Sequence, residues 1–142
     1  MPNVRKTTFA PFTAGQMYAL VNDIEAYPSF LPWCVDAQIL ERGQESMKAR
    51  VGVSKGRFDY AFTTSNQLIP ERSIVLSLVD GPFRKLSGRW DFLPEEQGCT
   101  VRFEIDFEFS SRMLGRALSV AFRPIMDSLV DAFRKRAYVV YA

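Results

Sequence analysis

Tyr60, Thr64 and Asn66 recur at even spacing in "FDYAFTTSNQL", residues 58–68. If that run is a strand, they share a face with Phe58, Phe62 and Leu68, and two hydroxyls and an amide enter an apolar interior. Buried polar groups need partners. Either the three bond locally at the strand end, or they meet the polar end of a small molecule, as convergent polar groups in apolar pockets do. A second candidate is the loop "YPSFLPWC", residues 27–34. Pro28 and Pro32 prevent a helix or strand from running through it, yet it carries Tyr27, Phe30, Leu31 and Trp33. It either plugs the end of a core or borders a cavity that admits something apolar.

Catalysis has little to work with. The 142 residues contain no histidine, which removes the commonest general base, the commonest zinc ligand and every Ser-His or Cys-His pair. Glu104, Asp106 and Glu108 alternate with apolar residues and so belong to a wet strand face, not to an interior. Cys34 and Cys99 make no disulfide framework and have no ligand-like neighbours, which suits a reduced, cytoplasmic setting. No enzyme activity, metal or catalytic cofactor is expected. "MPNVRKTTFA" lacks the apolar core of a signal peptide, and no apolar run approaches the ~18 residues of a membrane span.

The net charge is +2, unevenly spread. From Ser111 onward Arg112, Arg116, Arg123, Arg134, Lys135 and Arg136 face only Asp127 and Asp131. Such a segment can touch RNA or an anionic membrane, or it can simply be the solvated side of a helix.

The elements that must position these residues follow from periodicity. A strand is expected over Val4–Phe9. "PFTAGQMYALVNDIEAYP" reads as a helix N-capped by Thr13, with Met17, Leu20, Val21 and Ile24 on one stripe and Pro28 barring its continuation. Residues 34–109 alternate with period two. In "CTVRFEIDFEF" Cys99, Val101, Phe103, Ile105, Phe107 and Phe109 fall on one face and charged residues on the other. Further strands are expected at 34–42, 46–54, 57–69, 73–79 and 85–94, joined by hairpin-length turns into an antiparallel meander. In 85–94 Leu86, Gly88, Trp90 and Phe92 share a parity. Trp90 therefore points inward, as core or as ligand contact, and Gly88 either deepens a cavity or permits a bulge. Residues 111–141 carry a 3.6-period stripe through Leu114, Leu118, Phe122, Ile125, Leu129 and Phe133, a helix of ~45 Å with Pro124 expected to kink it. A long helix on the apolar face of a curved antiparallel sheet is an α+β layer arrangement.

"YPSFLPWC", "LVDGPFRKLSGRWDF" and "AFRKRAYVVY", in that order and spacing, resemble the coenzyme Q-binding, START-like family, whose bacterial branch comprises the ribosome association toxins (RatA). The resemblance spans the chain and implies one START-like, polyketide cyclase-like domain over residues 1–142, with the helix-grip fold. It implies ubiquinone or a similar polyprenyl lipid as a bound ligand, not a cofactor, in support of respiratory electron transport. On that reading Phe30, Leu31, Pro32 and Trp33 gate the cavity. Tyr60, Phe62, Thr64, Asn66, Phe83, Trp90, Phe103, Phe107, Leu118 and Phe122 line it, with a hydroxyl or amide reaching a quinone oxygen. The alternative implied role is binding to the large ribosomal subunit and blocking subunit joining, with the six cations of the terminal segment on RNA phosphates. The resemblance also leaves room for peripheral contact with the inner membrane and for a homodimer.

Overall fold

The computed structural model describes residues 3–56 and 58–141, and the Phe58 side chain falls outside that description. The expected strand start at Arg57 and the inward face of Phe58 thus lie outside the described residues. Seven strands run β1 (Asn3–Ala10), β2 (Cys34–Arg42), β3 (Ser46–Lys55), β4 (Phe58–Ile69), β5 (Ser73–Asp80), β6 (Phe83–Glu95) and β7 (Gly98–Phe109). They form one antiparallel sheet in the order β1-β7-β6-β5-β4-β3-β2. From β2 to β7 this is the expected meander, and β1 closes the far edge by pairing Asn3 with Asp106 and Ala10 with Cys99.

The helix α2 (Arg112–Tyr141) packs on the apolar face. It touches β1 and β7 at one side of the sheet and β4 three strands further on, which a flat sheet would not allow. Register shifts at Cys34/Asp36, Ile39/Glu41, Thr63/Thr64 and Phe83/Lys85 supply bends, since a bulge adds a residue to one strand and curls it. The chain stays helical through Pro124, which is solvent-exposed. The missing N–H there frees the carbonyl of Val120, itself on the outer face, where water can serve it.

The early helix differs from expectation. Helix α1 spans Ala14–Asn22 and ends at Asp23, and a 3-10 helix, Ile24–Ser29, takes over with Pro28 inside it. The break therefore precedes the proline by five residues. Thr13 does cap α1: its hydroxyl accepts from the Gln16 N–H at 3.0 Å, and the Gln16 side chain accepts from the Thr13 N–H at 2.9 Å, a reciprocal pair that satisfies two donors at the helix start.

The core follows the alternation closely. All six apolar residues of β7 from Cys99 to Phe109 are buried, and Trp90 and Phe92 are buried beside them. Gly88 forms no bulge, for β6 keeps register with both neighbours there. Nor does it open a void, because the Leu76 and Ile105 side chains lie 3.3 and 3.4 Å from where its Cβ would stand.

Candidate functional site

The loop after the 3-10 helix is pinned to the sheet. Leu31 N–H donates to the Tyr27 carbonyl at 2.9 Å, Cys34 N–H to Leu31 at 2.9 Å, and Ser54 N–H of β3 to the Trp33 carbonyl at 2.9 Å. The Tyr27 hydroxyl donates to the Val21 carbonyl at the end of α1. Burial, with smaller contributions from Cys34 and Asp23, pushes the Tyr27 phenol far above its usual range, so it acts as a fixed neutral donor. These bonds hold the aromatic loop over the end of a cavity.

That cavity, of about 80 Å³, lies between α2 and the sheet. Its floor is Ala49 and Val51 of β3, Phe62, Thr64 and Asn66 of β4, Ile74 and Leu76 of β5, Leu86 and Trp90 of β6, and Phe103 and Ile105 of β7. Met126, Leu129 and Phe133 of α2 form its roof, and Val21, Asn22, Ile24, Tyr27 and Trp33 its end. The lining is apolar except at two places. Thr64 and Asn66 are 7% and 2% exposed, and the Thr64 hydroxyl donates to Asn66 Oδ1 at 2.7 Å. Asn22 Oδ1 is buried with no hydrogen-bond partner among the described residues. Local bonding thus accounts for part of the polar face of β4.

Of the residues singled out by sequence, Trp33, Phe62, Thr64, Asn66, Trp90 and Phe103 come together here. The others do not. Phe83, Phe107 and Phe122 close-pack with Phe62 and Phe109 further along the sheet, with ring centroids 4.9–6.5 Å apart, and leave no space. Leu118 is buried in the same half of α2 as Phe122; the roof begins at Met126, eight residues or ~12 Å along the helix axis. Leu31 is a fully buried core residue and Pro32 is exposed. Tyr60 is 37% exposed and pairs with Val53 close to the turn between β3 and β4. Phe30 is half-buried on Tyr27 and Phe133, with the Arg136 guanidinium 4.9 Å above its ring.

Sequence reasoning missed Asn22, read only as part of a helix, the cavity-facing residues of β3 and β5, and the α2 roof of Met126, Leu129 and Phe133. Parity gives Ala49 and Val51 inward, and a small residue such as Ala49 among large ones is the available sign of a void.

Among the described residues no group of three His, Cys, Asp or Glu could hold a metal. Burial pushes both thiols, Cys34 and Cys99, up to about 11, so neither is a nucleophile at neutral pH. No helix among the described residues is long and apolar enough to cross a membrane.

The sequence profile of polyketide cyclase / dehydrase and lipid transport proteins matches residues 10–134. The chain belongs to that family. A ribosome association toxin RatA of Vibrio cholerae is 45% identical over 142 residues, covering 99% of each chain. The coenzyme Q-binding protein COQ10 homolog B of Xenopus laevis is 30% identical over 135 residues, covering 92% of this chain and 55% of that protein. A START superfamily protein of Mycobacterium smegmatis superposes with a TM-score of 0.83 at 23% identity, over 97% of this chain and 98% of that one. The START-like fold and the RatA-type resemblance expected from the three motifs are thereby shown. Their order differs from the one the loop motif suggested: the relative named for the ribosome stands nearer than the one named for coenzyme Q.

Proposed function

We propose that this chain is a non-catalytic cytoplasmic protein that associates with the ribosome, binding the large subunit and blocking subunit joining. The observation that carries this is the 45% identity to a RatA protein across 99% of both chains. Association with ribosomal RNA needs cations that can exchange their partners for phosphates. Arg134 and Lys135 share the exposed Asp131 at 3.0 and 3.2 Å, surface pairs of the kind that contribute ~0–1 kcal/mol and yield readily. With Arg136 they form the basic end of α2. The test is sedimentation of purified large subunits with the chain, alongside the yield of joined ribosomes. Co-sedimentation and reduced joining are expected, with the triple change R134E/K135E/R136E weakening both and flattening the salt dependence. A chain that stays at the top of the gradient at low salt overturns this reading.

A second reading concerns the cavity, and the polar atoms in it favour it: the Thr64–Asn66 pair and the unpartnered Asn22 Oδ1 in an apolar enclosure, in a family described by lipid transport. On this reading the chain holds the headgroup of ubiquinol, the reduced form of ubiquinone, or of a related hydroxyl-bearing prenyl lipid, with a hydroxyl of the ligand donating to Asn22 Oδ1. An apolar cavity of ~150 Å³ admits benzene; at about 80 Å³ this one must widen, and Trp33 at its end is among the half-buried side chains that line it. Solvent extraction of the purified protein followed by mass spectrometry tests it. Absence of any prenyl lipid, together with no quenching of tryptophan fluorescence by a short-tail quinol, excludes it.

A further inference from the structure

The first half of α2 carries its most exposed apolar side chains among its least engaged cations. Met113 and Val120 are 85% and 77% exposed, more than any other large apolar residue described. At ~100° per residue, Arg112, Arg116 and Arg123 fall within about 40° of one another, and Val120, Met113, Pro124 and Ala117 fill the adjoining sector. Leu118, Phe122 and Ile125 bury the opposite side. Arg112 and Arg116 meet no carboxylate among the described residues, and Arg123 reaches only the Asn3 carbonyl, at 3.1 Å. Arg84 lines the same cleft as Arg112 and Arg116, where Glu108 is the one acidic residue and is paired with Arg84. Asp127, one turn beyond Arg123, is paired with Lys6 at 3.8 Å.

We propose that this outer face of α2 docks on an anionic phospholipid surface, with Arg112, Arg116 and Arg123 on lipid phosphates and Met113 and Val120 among the upper acyl carbons. Positive charge complements an anionic bilayer. Protruding apolar residues flanked by arginine are the pattern of a helix lying in the interface plane. RNA would use the arginines but would gain nothing from a methionine and a valine held in water. Along α2 the face lies from ~18 Å (Arg123) to ~35 Å (Arg112) from Lys135, so it stands apart from the ribosomal contact proposed above and does not rest on it.

The test is flotation of the full chain with vesicles of phosphatidylcholine alone and of phosphatidylcholine with one-third phosphatidylglycerol. Binding to the anionic vesicles only is expected. R112Q/R116Q should weaken it on the order of 30-fold, the effect of two cations at a charged bilayer, and M113S/V120S should remove the part that survives high salt. Circular dichroism confirms that both variants fold, and R134Q/K135Q should bind as the wild type does. No flotation with anionic vesicles overturns the proposal. So does flotation untouched by M113S/V120S, and loss of ribosomal RNA binding in R112Q/R116Q without any vesicle phenotype makes the face an RNA contact instead.

Discussion

Asn22 and the two cysteines are single residues whose surroundings decide their behaviour. An unpartnered buried acceptor costs ~1–3 kcal/mol, so Asn22→Leu should raise the unfolding free energy by ~1 kcal/mol in urea while reducing binding of a hydroxyl-bearing ligand. A stabilised variant with unchanged binding would remove Asn22 from the site. Cys34 and Cys99 are held protonated up to about 11 instead of the ordinary 9.0. Between those values the unfolded chain releases protons that the folded one keeps, so raising pH favours unfolding. Stability should be level below pH 9 and fall from 9 to 11, and Cys34→Ser/Cys99→Ser should lessen that slope. Labelling by a thiol reagent at pH 8 should be slow until denaturant is added.

At the scale of elements, the β6–β7 turn is the least tolerant point. Gly98 has φ +157°, and a Cβ there would stand 2.1 Å from the Ala10 carbonyl at the end of β1. Gly98→Ala should therefore cost ~2–3 kcal/mol or more through strain and a forced shift of β1, read as a lower denaturation midpoint. The strands were legible because alternation persists to within a few residues of each end: the expected 34–42 matches β2, and 46–54 falls one short of β3. The end of α1 was not legible. Asp23 leaves helical geometry with neither glycine nor proline beside it, and the stripe carried by Ile24 continues across the break, since Ile24 is buried by the 3-10 helix as well.

For the whole molecule, periodicity tells which residues point inward but not where inward residues fail to meet. Phe107 and Phe103 share one face of β7, yet Phe107 joins a solid aromatic cluster and Phe103 borders the cavity. The difference lies in the surroundings, four other rings (Phe62, Phe83, Phe109 and Phe122) in one half and Ala49, Thr64 and Asn66 in the other, which is information held by five elements at once. Cavity size carries a prediction of its own. An enclosure of about 80 Å³, even widened severalfold, holds a headgroup and a few isoprene units, below or near the foot of the usual ~300–1,000 Å³ range. Affinity should rise over the first isoprene units and then level off, measured by tryptophan quenching in a series of tail lengths. A gain that continues with every unit would contradict partial enclosure.

The pairing of β1 with β7 also sets a timetable for synthesis. Asn3 is made 103 positions before its partner Asp106. At ~5–20 residues per second, the first strand waits roughly 5–20 s for its partner, and α2, which covers the apolar face of the sheet, follows every strand. Throughout that interval the nascent meander offers an open edge and an uncovered apolar face to its surroundings. The core cannot close until α2 has been made, and a copy truncated before α2 should emerge as an aggregating client of chaperones, not as a smaller folded protein.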